Sequence, residues 1–324
     1  MRNVFVGLAF GLSVAAFAAG CDGGGDGTGG HGGHGGHGGH GGSEGGTGGT
    51  GGGTGGTGGG TSKQAVSINF EAKVGDQAFD CASMYTGLGS TAAEAKITDF
   101  RVYVHDVELV QDGTAIPVTL EQDGVWQYEN VALLDFESGS GACANGTAEL
   151  HTTITGTVEA GDIQANPFEG IRFKVGVPFE LNHADVATAP SPLNLSALFW
   201  NWNGGYKFLR VDSLATGAAT AFNLHLGSTE CQDDGNGGVS SCNRPNRPEV
   251  ELTGKDPLAT SIVIDYAAVV AGNDLMQDGG GAPGCMSGAA DPECGPIFDS
   301  LGLDIQTGAP KAGQTLFQLA GGPQ

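Results

Sequence analysis

Apolar–polar alternation recurs in several separate stretches, and no long segment has a helical period, so the chain is confined to a β architecture. Val66, Ile68, Phe70, Ala72 and Val74 fall on one side of an extended run; Ser67, Asn69, Glu71 and Lys73 fall on the other. A period of two suits a half-buried strand, whose successive side chains point to opposite faces. Phe100, Val102 and Val104 alternate with Arg101, Tyr103 and His105. Leu150, Thr152, Ile154 and Val158 oppose Glu149, His151, Thr153, Thr155 and Thr157. Ile171, Phe173, Val175 and Val177 form a run that Pro178 stops, and residues 206–212, 221–226, 248–252 and 261–266 continue the pattern. A helical turn is expected over 269–271, ended by Gly272. A short helix is expected only over 191–202, with Ser191 as N-cap and Pro192 at the first helical position. The expected fold is all-β, an antiparallel β-sandwich or open barrel.

The strands begin only after a segment that cannot join a core. Residues 22–61 are almost wholly Gly, Thr and His with a few acids. Such a stretch has no apolar surface to offset its ordering entropy, so 21–63 is expected to be a disordered tether. About 260 residues remain, enough for one substantial core, and 64–324 are expected to form one domain. Before the tether stand Met1-Arg-Asn3, an apolar run and Gly20-Cys21. A basic start and a short apolar run mark 1–20 as a secretory signal peptide, too short to span a membrane stably. Ala18-Ala-Gly-Cys21 resembles a lipoprotein processing site, with Ala18 where Leu is usual. Cys21 is the expected lipidation site; ordinary cleavage after Ala18 is the alternative. The expected location is the periplasm or outer cell surface, with membrane contact only through the lipid.

Export gives the other cysteines a meaning. Cys81, Cys143, Cys231, Cys242, Cys285 and Cys294 are even in number, and none has metal-site or redox CxxC spacing. Of the fifteen connectivities, Cys231–Cys242 with Cys285–Cys294 is the most economical, because each closes a short Gly/Asp/Pro-rich loop. Cys81–Cys143 is then left over.

Formal net charge is −23, from 13 basic and 36 acidic side chains. Phosphate backbones are recognised by Lys/Arg clusters, and none exists here, so nucleic acid is excluded as a partner. No GxSxG or Ser/His/Asp set suggests nucleophilic catalysis. His31, His34, His37 and His40 recur every third residue between glycines, a pattern able to bind copper, nickel or zinc weakly. In the domain, His183 lies between Asn182 and Asp185, where a neighbouring acceptor can fix its tautomer. His225 shares a strand face with Asn223, and His105 precedes Asp106. His151, on a threonine-rich face, reads most simply as solvated. The histidines have no HxH or HxxxH spacing. Asp233-Asp-Gly-Asn-Gly-Gly238 resembles part of a calcium loop but lacks the terminal bidentate Glu, and reads more simply as a solvated disulfide loop.

Several motifs occur together. Asp99-Phe-Arg-Val-Tyr-Val-His-Asp-Val107, Val131-Ala-Leu-Leu-Asp-Phe-Glu137, Gly176-Val-Pro-Phe-Glu-Leu-Asn-His183 and Ala189-Pro-Ser-Pro-Leu-Asn-Leu195 are the first four. Phe199-Trp-Asn-Trp202, His225-Leu-Gly-Ser228, Cys285-Met-Ser-Gly288 and Asp291-Pro-Glu-Cys294 follow in order. Together they resemble the MbnP-like family across roughly residues 65–305, a family named for methanobactin operons and also called the four-cysteine partner of a metallo-mystery pair. The resemblance implies a β-rich, copper-binding, non-catalytic protein paired with a di-haem peroxidase-like enzyme of the MauG type. It implies that this partner oxidises a tryptophan to kynurenine at or near the copper. The expected substrates are Trp202 and Trp200, with Trp126 ranked lower, and the expected copper ligands are His183, His225 and His105. The family's four cysteines would be Cys231, Cys242, Cys285 and Cys294. It assigns no role to the His-rich tether. The rival reading is a carbohydrate-binding or adhesive surface module, with Trp200, Trp202 and Tyr206 as a sugar platform.

Overall fold

Alternation becomes strand from the first described residues onward. The computed structural model describes residues 62–144, 146–159, 166–201 and 203–321. The signal peptide, Cys21, nearly all of the tether with its four histidines, and Trp202 lie outside the described residues. Strand β1 (Lys63–Val74) is followed by β2 (Gln77–Ala78), β3 (Tyr85–Leu88) and the 19-residue β4 (Ala93–Gln111). Next come β5 (Thr114–Pro117), β6 (Thr119–Leu120), β7 (Gln127–Tyr128), β8 (Val131–Asp135), β9 (Thr153–Glu159) and β10 (Gly170–Val175). A crossing segment then carries helix α1 (Phe179–Asn182), a 3-10 turn (Ser196–Leu198), β11 (Phe199–Asn201) and β12 (Gly205–Tyr206). Strands β13 (Leu209–Ala215), β14 (Phe222–Leu226), β15 (Thr229–Asp233), β16 (Val239–Arg244), β17 (Glu249–Thr253) and β18 (Ile262–Asp265) follow. Helix α2 (Tyr266–Val270), β19 (Gly284–Cys285), α3 (Cys294–Ser300) and β20 (Phe317–Leu319) end the fold.

Two sheets form the body, one in the order β20-β18-β1-β9-β6 and one in the order β17-β10-β4-β13-β14-β19. Most pairings are antiparallel; β1 with β18 and β14 with β19 are parallel. Strand β4 is the spine of the larger sheet. Along one edge it takes β13 and then β10; along the other it takes β3, β8 and β5. The alternating apolar residues meet between the sheets. Phe70 and Phe317 of the smaller sheet contact Phe173 of the larger, with ring centroids 6.0 and 5.0 Å apart in edge-to-face geometry.

The opposite face of β4 is the unusual one. It presents Asp99, Arg101, Tyr103 and His105 in sequence, none more than 3% exposed. The segment between β10 and β13 helps cover that face. Tyr103 donates its hydroxyl to the Pro192 carbonyl at 2.8 Å, and Tyr206 donates to the Leu193 carbonyl. These bonds pin the Pro190-Ser-Pro192 turn over the sheet and hold it out of helix. The expected helix over 191–202 is therefore corrected to the single turn at Ser196–Leu198 followed by strand. Ser191 does not cap it; its hydroxyl donates to the Val125 carbonyl at 2.7 Å, and the Ser191–Pro192 bond is cis.

The three disulfides are Cys81–Cys143, Cys231–Cys242 and Cys285–Cys294, the economical pairing. Cys231 and Cys242 face each other across the β15–β16 hairpin. The Asp233–Gly238 turn closes that hairpin through local bonds: Asp233 accepts from the Gly235 amide, and Asp234 from those of Asn236 and Gly238. Those amides hold the Asp234 carboxyl below its usual range.

Candidate functional site

The crossing segment brings one histidine, one tryptophan and one disulfide together. Asn182 is fully buried, and its side-chain oxygen accepts the Tyr206 amide at 3.0 Å. With the oxygen so engaged, the Asn182 NH2 faces His183 and donates to Nε2 at 3.2 Å. The ring proton is thereby assigned to Nδ1, and the Nε2 lone pair accepts the Asn182 amide. Cys242 Sγ lies 3.6 Å from that same nitrogen. As a disulfide sulfur it has no proton to donate. The expected acceptor is corrected to a donor: Asn182 turns its NH2 to His183 because its oxygen is taken by the Tyr206 amide.

Trp200 is half-buried and belongs to the same neighbourhood. Its ring lies over Gly204 and Gly227, where an added methyl would meet it at 3.4 and 2.6 Å respectively. Asn203 ties the β11–β12 hairpin to the disulfide strand by donating to the Cys231 carbonyl at 3.3 Å. Gly227 directly follows β14, so the Trp200 ring lies beside the end of the strand that carries His225. Gly227→Ala would drive a methyl into the Trp200 ring and against the Tyr206 carbonyl, also at 2.6 Å. Overpacking of this kind is expected to cost ~1–3 kcal/mol and to displace the indole. Urea unfolding with tryptophan emission checks this; an unchanged midpoint and spectrum would refute the contact.

His225 is 6% exposed and bonded through Nε2 to Asp212 Oδ1 at 2.7 Å. Its Nδ1 is buried and has no hydrogen-bond partner among the described residues. Burial alone would raise the Asp212 carboxyl, but His225 and Arg210 outweigh it and hold the group below its usual range. Sequence spacing did not reveal Asp212 as the partner of His225, because the two meet across paired strands, not along one.

Asp212 is one end of a buried run of charge. Arg210 bonds Asp212 Oδ2 at 2.9 Å through Nε and lies 2.9 Å from Asp99 Oδ2 through Nη1. Asp99 also receives both Nε and Nη2 of Arg101. Arg101 Nε lies 3.7 Å from the fully buried Glu137 carboxyl. Burial, then the nearby Asp99, push the Glu137 carboxyl far above its usual range. Burial raises Asp135 to about 6.

The three expected ligand histidines do not converge as one set. Among the described residues, the one group of three His, Cys, Asp or Glu atoms close enough for a single ion is His183 with Cys231 and Cys242, within 4.8 Å. Those sulfurs are bonded to each other. His105 is 3% exposed, with Nδ1 3.2 Å from Asp106, and burial holds its ring down at about 4, hence neutral. The register pairs His225 with Arg210 and Arg210 with Arg101. His105 is thus two strands across and four residues along from His225, roughly 16 Å between Cα atoms. That separation is too great for both rings to hold one ion at ~2 Å.

His151 is not the solvated residue expected. It is half-buried, its Nδ1 faces the Leu133 carbonyl, and its ring stacks on Trp126 at 5.2 Å with planes 3° apart. Tyr206, offered as part of a sugar platform, is fully buried and unable to serve as one.

Fold and site define a disulfide-stapled, two-sheet β protein in which an imidazole and an indole flank a short crossing hairpin. The family model for MbnP matches residues 63–287, and the chain belongs to the MbnP family. Among solved structures, MbnP from Methylosinus trichosporium is similar with a TM-score of 0.70 and 28% identity, over 80% of this chain and 98% of that one. No curated protein matches the chain.

Proposed function

We propose that this is an exported copper-binding protein and the substrate, not the catalyst, of a di-haem MauG-type partner. The partner oxidises a tryptophan of the Trp200-Asn-Trp202 run to kynurenine beside the copper. Kynurenine exchanges an indole N–H for a ketone and an aryl amine, which adds donor atoms to the aromatic frame. Imidazole nitrogen suits copper in either oxidation state. His183 is assigned the first ligand role and His225, through Nδ1, the second; His105 stands apart as the weakest of the three. The protein is held in the periplasm or at the outer surface by a lipid on Cys21, and the His-rich tether adds weak metal binding of its own.

The observation that carries this reading is the crossing hairpin. Through Asn182 it fixes the tautomer and orientation of the His183 ring, and through Gly227 it lays Trp200 beside the strand of His225. Co-expression with the di-haem partner is expected to change the mass of the peptide carrying Trp200 and Trp202 by the indole-to-kynurenine difference. The Trp126 peptide is expected to stay unmodified. An unaltered Trp200–Trp202 peptide in the presence of active partner would sink the proposal.

A further inference from the structure

The Asp212 carboxylate gives one oxygen to each of two partners. Its Oδ1 meets His225 Nε2 at 2.7 Å. Its Oδ2 accepts Nε and Nη2 of Arg210 at 2.9 and 2.6 Å. An ionised carboxylate only accepts, so the nitrogen that meets Oδ1 carries the ring proton. Nδ1 is then the lone-pair nitrogen of the neutral ring. His225 is 6% exposed, and its Nδ1 has no hydrogen-bond partner among the described residues. Histidines that ligate metals almost always give their other ring N–H to a carboxylate, a carbonyl or water.

Three strands hold this arrangement in place. Arg210 of β13 stands opposite both Arg101 of β4 and His225 of β14. Its Nη1 lies 2.9 Å from Asp99 Oδ2 and donates to the Ala197 carbonyl at 3.1 Å. Turning the guanidinium away from Asp212 would break both contacts. The backbone of His225 is fixed as well. The Ser287 hydroxyl donates to the His225 carbonyl and accepts the Gly227 amide, each at 3.0 Å. Asp212 is itself 7% exposed, so little water competes for its oxygens.

We propose that Asp212, held by Arg210, is a positioning residue of the metal site: it keeps the proton on Nε2 of His225 and leaves Nδ1 as the ring nitrogen able to ligate. The inference rests on the copper reading and adds to it the group that selects the ligating atom. It separates two substitutions that a packing role would not. In Asp212→Asn the amide oxygen stays with Arg210, because a guanidinium can only donate. The NH2 then replaces Oδ1 and donates to Nε2. The ring proton moves to Nδ1, and the lone pair meant for the metal is lost. An Asp-to-Asn change behind the histidine of a serine-protease triad acts in the same way, by enforcing the wrong tautomer. Asp212→Ala removes the bias without reversing it.

Two measurements on the full chain test it, with His31, His34, His37 and His40 replaced by alanine so that only the folded domain is titrated. The first is long-range 15N–1H correlation of the imidazoles in the chelator-treated protein. The second is copper competition against a chromophoric chelator, using protein co-expressed with the di-haem partner. With the domain unaltered, His225 should carry its proton on Nε2 and none on Nδ1. Asp212→Asn should show the opposite tautomer and lose copper affinity by ~10–100-fold, the range for outer partners of metal-bound histidine. Asp212→Ala should show both tautomers and lose less. Three results would overturn the inference while leaving copper binding intact: a neutral His225 ring protonated on Nδ1 in the unaltered domain, unchanged affinity in Asp212→Asn, or equal losses in the two variants. An unaltered domain that takes no copper would overturn both readings. The first measurement needs no substitution within the domain, so the inference stays refutable even where a variant fails to fold.

Discussion

Arg101→Met is expected to destabilise the folded chain by about 3 kcal/mol, near the lower end of what breaking a buried ion pair costs. Arg101 is 2% exposed and stands between Asp99 and Glu137, both fully buried. Removing its charge leaves those carboxyl groups in a poorly solvated place. The loss stays near the lower bound because Arg210 still reaches Asp99 at 2.9 Å. For comparison, Arg172 and Glu251 form a 2.8 Å pair with side chains 39% and 53% exposed. Removing that solvent-screened pair should cost far less. Urea unfolding decides between the two cases. Adding Asp99→Asn to Arg101→Met should recover part of the loss, since the carboxylate stranded by Arg101→Met is then neutral. Strict additivity of the two substitutions would mean that they do not interact.

The same cluster sets a pH dependence. Burial raises Asp135 to about 6 from an ordinary 3.8, and raises Glu137 from an ordinary 4.5. The folded chain therefore holds protons that the unfolded chain has released. Their contribution is intact below about pH 4 and is lost as pH climbs through 6 and beyond, at up to ~1.4 kcal/mol per pH unit for each proton. Glu137→Gln should flatten the alkaline part of that slope.

Copper should depend on His183 almost completely. A chain lacking residues 22–61 is expected to keep about one copper per molecule after co-expression with the di-haem partner, because the tether histidines are not the principal site. His183→Ala in that background should lower affinity by at least about 100-fold, since losing a ligand costs no less than losing its outer partner, itself worth 10–100-fold. Metal analysis after exhaustive buffer exchange reads the outcome directly. Copper that follows the tether, and is indifferent to His183, would move the site to the Gly-His repeats.

Much of the β framework was legible because a period of two survives in single-residue detail. The alternation in 66–74, 100–105 and 171–177 corresponds to β1, β4 and β10. Short cysteine spacings were also informative, because a hairpin or tight loop brings neighbours in sequence together. What alternation does not say is which side of a strand meets water. Arg101, Tyr103 and His105 read as an outward face, yet the crossing segment buries them. The Ser191-Pro192 signal was misread for a related reason: helix-start residues also suit a turn, and tertiary bonds from Tyr103 and Tyr206 decide between them. The site was legible only in part. His183 and Trp200 sit in one recognisable stretch. Asp212, Cys242 and Gly227 reach it through pairings between distant segments, which leave no spacing signature.

The closeness of His183 Nε2 to the Cys231–Cys242 bridge has a practical side. Dithiothreitol or a phosphine added during purification would open that bridge and leave two thiols beside an imidazole, a soft N/S chelate able to capture zinc or cuprous ion. Metal counts taken after such treatment would describe an artificial centre. Handling the protein without thiols, and alkylating any free sulfhydryls first, keeps the measurement on the oxidised chain.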